Sequence, residues 1–410
     1  MYTSQPRSSS SGRSRSSRRS STSFRGMSTP NPLLQGAPRA QNILPANDTP
    51  EAADFTHFGF HPQVTRNIAD RGFVAPTPIQ QATIPLLLQG HDVVGLANTG
   101  TGKTAAFCLP LIHRILEKEL TGSVLVVSPT RELAQQIRDD CVLFTKGTQI
   151  RTGLYVGGQD IERQLRSLRP LPQFIVGTPG RLRDLIANYD ALHLKHAATV
   201  VLDEFDRMLD MGFIEDVTCL LEQMPKLRQS IFFSATITPD IQQLLPRFAH
   251  DPKIISVQQT AVAKTIEQDR IETRSQAEKL MKLTEYLADD AFDKVLVFAN
   301  TKRSVQRLAD ELQRRGFHAD SIHGNKTQPQ RQRVLNLFKE GRLRVLVATD
   351  VAARGLDIPD VSHVINYDEP DSYESYIHRI GRTGRAGRVG KALTFVPFLP
   401  KKQQGHSGAF

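Results

Sequence analysis

The run Ala97-Asn98-Thr99-Gly100-Thr101-Gly102-Lys103-Thr104 carries the residue types that hold a phosphate chain. Gly100 and Gly102 let the backbone curl so that its N–H groups face one anion. A helix that starts here adds the partial positive charge of its N-terminus. Lys103 can reach the β- and γ-phosphates of a nucleotide, and Thr104 offers a hydroxyl to Mg²⁺. Ala97 stands where the general pattern has its first glycine, so that turn is less demanding. A magnesium site needs a second element. Asp203-Glu204-Phe205-Asp206 supplies one, directly after the apolar run Val200-Val201-Leu202. Asp203 is placed to hold the metal through water, and Glu204 to orient or deprotonate an attacking water.

Such residues work only if strands and helices present them together. Short apolar runs predict buried strands over 92–96, 123–128, 174–176, 199–202 and 230–233. Helical spacing predicts helices over 103–118 and 132–144. Strands alternating with helices imply an α/β fold, a parallel sheet covered on both faces. The polar stretch 258–268 then reads as a linker. The rhythm restarts with strands over 294–298, 345–348, 364–366 and 392–396 and a helix over 302–315. The expected organisation is therefore an arm over 1–50, a first lobe over 51–257, a second lobe over 269–398 and a polar tail over 399–410. At 410 residues, two lobes suit the usual domain size.

Composition narrows the classes. Hydrophobic residues make up 39% of the chain, enough for sizeable cores, and no apolar run reaches the length of a membrane span. The basic N-terminus lacks the apolar segment of a secretory signal. Cys108, Cys141 and Cys219 show no metal-ligand spacing, so no structural metal is expected and a reduced, cytoplasmic setting fits. Net charge is +10, and residues 1–47, with seven arginines and no acid or lysine, contribute +7 of it, so the remainder carries only +3. The Ser/Arg-rich arm cannot bury enough apolar surface to fold and is expected to be disordered. It can attract phosphate non-specifically through counterion release.

The order of motifs from Phe55 to Val396 resembles the DEAD-box family of helicase superfamily 2, of the bacterial type. The Met208–Phe213 run and His323-Gly324-Asn325 carry the bacterial flavour. The resemblance implies two RecA-like lobes and RNA-stimulated hydrolysis of ATP with Mg²⁺. It implies coupling of hydrolysis to lobe closure, and either local unwinding of short duplexes or remodelling of RNA–protein complexes. Gly72-Phe73 and Pro76-Thr77-Pro78-Ile79-Gln80 are similar to the family's Q motif, in which Gln80 pairs with adenine, Phe73 stacks on the base and Phe55 is the upstream aromatic. The nucleotide set is thus Phe55, Phe73, Gln80, Ala97 to Thr104 and, on the second lobe's Ala353-Arg354-Gly355-Leu356-Asp357, the ribose-binding Asp357. Arg382 and Arg385 of His378-Arg379-Ile380-Gly381-Arg382-Thr383-Gly384-Arg385 resemble arginine fingers, which neutralise charge on the transferring phosphoryl group. The catalytic set is Lys103, Asp203, Glu204, Arg382 and Arg385, with Thr104 and Asp203 for the metal. Ser234-Ala235-Thr236 is the coupling motif, bonding to Asp206.

Arg131 of Pro129-Thr130-Arg131-Glu132-Leu133, Gly158, and Thr178, Gly180 and Arg181 resemble the first lobe's RNA contacts. Arg331 of Gln328-Pro329-Gln330-Arg331 and Thr349 resemble the second lobe's. Such groups contact phosphate and sugar and carry little sequence specificity. Two positions depart from the family. Phe205 stands where alanine is usual, and over-packing costs about 1–3 kcal/mol when neighbours do not adjust. Hydrolysis is expected to survive, with coupling to unwinding the step at risk and an RNA clamp the alternative. Asn98 replaces a more usual glutamine at a position that is not a phosphate ligand. The RNA target stays open, as do ribosomal or RNA-decay protein partners. A translocating DNA helicase is disfavoured by the Gln80 motif.

Overall fold

The computed structural model describes residues 43–45, 54–98, 100–257, 266–353, 361–384 and 390–398. Two sheets organise them, and every pairing among the described strands is parallel. The first contains β1 (Ile43–Pro45), β2 (Val93–Leu96), β3 (Ser123–Val127), β4 (Thr152–Tyr155), β5 (Phe174–Gly177), β6 (Ala197–Asp203), β7 (Gln229–Ser234) and β8 (Lys253–Ser256), in the order β1-β8-β2-β7-β6-β3-β5-β4. The second contains β9 (Ile266–Thr273), β10 (Val295–Phe298), β11 (Ala319–Ile322), β12 (Val345–Ala348), β13 (His363–Asn366) and β14 (Gly390–Pro397), in the order β11-β12-β10-β13-β14-β9. These are the two RecA-like lobes expected from the sequence.

Alternation along each central strand feeds two cores. Val124 and Val126 enter one layer of the first lobe, Leu125 and Val127 the other. Val295 and Val297 divide from Leu296 and Phe298 in the same way in the second lobe. Successive strand side chains point to opposite faces, so a strand covered on both sides must be apolar throughout.

The helices that bear the site are α1 (Pro62–Asp70), α2 (Pro78–Leu88), α3 (Lys103–Leu116), α4 (Arg131–Phe144), α5 (Ile161–Ser167), α6 (Pro179–Ala187), α7 (Phe205–Asp210), α8 (Ile214–Glu222) and α9 (Pro239–Phe248). In the second lobe they are α10 (Gln276–Ala288), α11 (Lys302–Arg314), α12 (Gln328–Lys339), α13 (Asp350–Ala353) and α14 (Tyr373–Ile380). Several begin on a side-chain cap: Thr130 accepts from the Leu133 N–H at 3.3 Å, and Thr301 from the Ser304 N–H at 3.0 Å.

Two boundaries differ from the sequence expectation. Ile43–Pro45, placed in the arm, is a strand paired with β8, and the rest of the arm lies outside the described residues. The second sheet starts at Ile266, inside the expected linker, because β9 pairs along β14. Its residues Glu267 to Arg270 are exposed at the sheet edge, which is why they read as polar linker. Residues 258–265 and the tail lie outside the described residues.

Candidate active site

Strand register brings the chemistry to one edge. Leu96 pairs with Ser234 and Asp203 with Phe233, so β2, β6 and β7 end side by side. Ligands of open parallel sheets bind off these carboxyl ends. The loop after β2 leads into α3 through Gly100 (φ 87°) and Gly102 (φ 90°), and Gly102 is the helix N-cap. Lys103, 6% exposed, donates from Nζ to the Ala97 carbonyl at 3.0 Å and lies 4.0 Å from Asp203 Oδ1. Thr104 follows in the first turn of α3, partly exposed. Thr101 Oγ1 donates to the Asn98 carbonyl at 2.8 Å. Thr99 lies outside the described residues.

The Q-motif segment is tied to this loop. Gln80 accepts from the Thr77 N–H at 2.9 Å and donates from Nε2 to the Gly102 carbonyl at 3.0 Å. Thr77 Oγ1 donates to the Thr101 carbonyl at 2.8 Å. A Cβ at Gly102 would run into the Gln80 amide, so this close approach needs glycine on both steric and φ grounds. Each end of the Gln80 amide therefore already has a backbone partner, leaving one N–H and one lone pair for a base. Phe55 is a core residue, 4% exposed and stacked on Phe73 with ring centroids 6.2 Å apart. Phe73 is partly exposed and meets Phe144 edge-on.

Asp203, Glu204 and Asp206 are all buried. Burial pushes the Asp203 carboxyl up to about 6, against the pull of Lys103. Burial pushes Glu204 the same way, but Arg207, Lys103 and Arg382 together outweigh it and hold Glu204 at about 2. Glu204 adopts φ 54° and starts α7, and Arg207 one turn on forms a buried ion pair with its Oε2. Asp206 Oδ2 accepts from the Ala235 N–H at 3.0 Å, the Thr236 N–H at 3.2 Å and Thr236 Oγ1 at 3.4 Å. Ser234 Oγ donates to the Thr236 carbonyl at 2.7 Å. Phe205 turns away from these acids into the core, edge-on to Phe232 at 5.4 Å and to Phe248 at 6.4 Å between ring centroids.

Arg382 of the second lobe lines one small cleft with Lys103, Glu204, Asp206, Arg207, Ala235 and His378. Its position follows from Arg379 one turn earlier, 1% exposed. Arg379 grips Asp350 through two bonds of 2.7 and 2.6 Å. It also donates to the Asp368 carbonyl at 2.6 Å and to Asn300 Oδ1 at 3.0 Å, and lies over the Phe298 ring. Asp357 and Arg385 lie outside the described residues. Neither Arg207 nor Arg379 was singled out from the sequence. The spacing of Arg207 three residues after Glu204 on a helix could have found it.

Arg131, Thr178, Gly180, Arg181 and Arg331 line a second, open groove that both lobes share. Arg183 and Lys326 line it too, and the sequence reading missed both. Gly158 (φ 76°) packs against Arg131, where a Cβ would collide with the guanidinium. Thr349 is 7% exposed and caps α13, accepting from the Ala352 N–H at 3.3 Å. Arg331 lies 3.1 Å from Glu132 Oε1, and Gln328 Nε2 donates to the same oxygen at 3.0 Å.

Residues 77–244 match the DEAD/DEAH box helicase family, and residues 278–387 match the helicase conserved C-terminal domain. The chain is 48% identical over 323 residues to the ATP-dependent RNA helicase CshA of Listeria monocytogenes, covering 78% of this chain and 62% of that protein. It is 47% identical to the DEAD-box ATP-dependent RNA helicase CshA of Geobacillus kaustophilus, covering 78% and 69%. The match thus spans less than two thirds of the Listeria relative's length. Among solved structures, S. cerevisiae Dbp5 bound to RNA and ADP BeF3 superposes with a TM-score of 0.77 at 33% identity, covering 85% of this chain and 90% of that one.

Proposed function

The chain belongs to the DEAD/DEAH box helicase family, and from that premise we propose that it is an ATP-dependent RNA helicase. RNA binding stimulates ATP hydrolysis, lobe closure couples the two, and the work is local unwinding of short duplexes or remodelling of RNA–protein complexes. One observation carries this reading: Arg382 of the second lobe shares a cleft with Lys103 and Glu204 of the first. A nucleotide site split between lobes is complete only when they meet, so anything that favours closure favours hydrolysis.

We assign roles from the geometry of the described residues and, for Asp357 and Arg385, from the family's motifs. The loop from Ala97 to Gly102 and the N-terminus of α3 cradle the phosphates, and Lys103 exchanges the Ala97 carbonyl for phosphate oxygen. Gln80 pairs its remaining N–H and lone pair with the adenine edge while holding the phosphate loop through Gly102. Phe73 provides the base contact, Phe55 supports it from the core, and Asp357 takes the ribose. Arg207, Lys103 and Arg382 keep Glu204 ionised against its burial, so it can accept a hydrogen bond from the attacking water and aim it or take its proton. Arg207 fixes that carboxylate. Arg382, with Arg385, neutralises charge on the transferring phosphoryl group.

Mg²⁺ fits the donor set. It takes one or two carboxylates and completes its shell with water and phosphate oxygens. Asp203, buried at the end of β6, would hold the metal through water and the Thr104 hydroxyl would ligate it, and when bound the metal would screen the phosphate charge. Among the described residues no cluster of three or more His, Cys, Asp or Glu side chains could hold a metal.

RNA lies along the groove of Arg131, Thr178, Gly180, Arg181 and Arg331, with Gly158 beside Arg131 and Thr349 capping α13. The groups facing it suit phosphate and sugar, so sequence preference is small. Asp206 relays the nucleotide state to Ser234 and Thr236. The edge-to-face packing of Phe205 supports a coupled helicase over a clamp. Cytoplasm is the compartment, and ribosomal or RNA-decay proteins are the partner class. Among the described residues no helix is long and apolar enough to cross a membrane.

Steady-state ATP hydrolysis with and without single-stranded RNA tests the assignment. Glu204→Gln should abolish the RNA-stimulated rate while ATP still binds. Normal turnover by that variant would contradict the role given to Glu204.

A further inference from the structure

Two of the three cysteines meet in the core of the first lobe. Cys108 lies on α3, in the second turn after Lys103, and Cys141 lies in the last turn of α4. Their sulfurs are 3.0 Å apart and both residues are fully buried. A disulfide bond is about 2.0 Å long, so the two sulfurs need to close by only about 1 Å to bond. The helices on either side of the pair are functional ones. α3 opens with the phosphate-contacting lysine. α4 opens with Arg131 and Glu132, which face the groove shared by the lobes.

We propose that Cys108 and Cys141 form a disulfide under oxidising conditions, a modification site that ties the phosphate-loop helix to the helix bearing Arg131 and Glu132. The oxidant class is a peroxide. One sulfur, as its thiolate, attacks a peroxide oxygen, breaking the O–O bond to give a sulfenic acid, and the departing hydroxide takes up a proton as water. The second sulfur then displaces hydroxide from the sulfenic sulfur, forming the S–S bond and a second water. In sum, two thiols and one hydrogen peroxide give one disulfide and two waters. Two electrons pass from sulfur to oxygen.

Burial sets the rate and the choice of oxidant. It raises the Cys108 thiol well above the ordinary range, so thiolate is scarce while α3 and α4 stay packed. Reaction awaits local opening between the helices and is slow. A small uncharged peroxide can enter such an opening, whereas a glutathione-sized disulfide cannot. Cys219 sits half-buried on α8, so it serves as an internal reference. Once formed, the cross-link closes a loop of 33 residues, which restricts the unfolded chain and so stabilises the fold.

The test treats the full chain with hydrogen peroxide, quenches it and counts thiols after denaturation. Thiols should fall from three to one, the mass should drop by two hydrogens, and proteolytic mapping should join the peptides holding Cys108 and Cys141. Dithiothreitol should reverse all three changes. The oxidised chain should melt about 4 °C or more above the reduced one. Cys219→Ser should still lose two thiols, and Cys141→Ala should lose none to a disulfide. If Cys141→Ala does not fold, the peptide map of Cys219→Ser decides alone. Retention of all three thiols, a linkage through Cys219, or oxygen addition without cross-linking would overturn the proposal.

Discussion

Arg331 of the second lobe reaches Glu132 of the first at 3.1 Å, and both side chains are largely buried. Arg331 resembles an RNA contact in sequence, yet its guanidinium is shared with a carboxylate across the lobes. The pair therefore joins the two lobes within the groove proposed to hold RNA. Removing one partner of a buried charge pair leaves the other uncompensated, at a cost of about 3–5 kcal/mol.

Glu132→Ala should thus weaken the closed arrangement more than either lobe alone. The RNA concentration giving half-maximal ATPase stimulation should rise on the order of 100-fold, and the RNA-independent rate should fall as well, since it too requires closure. A titration of ATPase rate against RNA checks this. An unchanged midpoint would assign the pair no part in closure.

Phe205 gives a prediction with a clear sign. An over-packed ring would make Phe205→Ala stabilising. The ring instead sits edge-on to Phe232 and Phe248 in a buried cluster, and deleting a buried phenylalanine side chain costs about 3–5 kcal/mol. Urea unfolding should show that loss, and a gain would restore the over-packing view.

Asp92 accepts the buried N–H of Ser230 and the partly buried N–H of His250, each at 2.7 Å. Asp92→Ala leaves both without a partner and should destabilise the first lobe by about 2–4 kcal/mol. Asp92→Asn keeps one acceptor and should lose less. Equal losses in urea unfolding would mean that packing, and not the hydrogen bonds, is what Asp92 supplies.

The two acids of the site titrate in opposite senses. Burial raises Asp203 to about 6, so on acidification the folded chain takes up this proton before the unfolded chain does. Its effect is stability that increases as pH falls from about 6 towards the unfolded value. Glu204, held at about 2 by Arg207, Lys103 and Arg382 against its burial, contributes stability above its unfolded value that is lost as pH falls towards 2. For Mg²⁺ the same proton on Asp203 is a competitor. The Mg²⁺ concentration that half-saturates ATPase should therefore rise by up to about tenfold per pH unit below 6. A flat dependence between pH 7 and 5 would remove Asp203 from the metal site.

How much of this was legible in the sequence depends on where each residue sits. Central strands such as β3 and β10 are covered on both faces and so read as unbroken apolar runs. Edge strands carry no such signature: β9 exposes Glu267 to Arg270, and β1 is three residues long. Within the site, Lys103 and Asp203 were legible because phosphate and metal chemistry demands those types after a strand. The contacts of Arg379 were not. They gather Asn300 and Asp368 from two loops and Asp350 from the start of α13, and no local pattern in the chain foretells that meeting. Gln80 was legible as part of the Pro76-to-Gln80 run, whereas its bond to the Gly102 carbonyl depends on how α2 packs on α3.

The central claim is that hydrolysis needs both lobes. Single-turnover ATP hydrolysis on RNA by Arg382→Ala tests it most directly, alongside ATP affinity and RNA affinity. An arginine that neutralises the transferring phosphoryl group is worth about 10³–10⁵ in rate. The account predicts a rate at least about 10³-fold lower, with ATP bound as tightly as by the unsubstituted chain. Hydrolysis at the unsubstituted rate would place the whole reaction in the first lobe and contradict the claim.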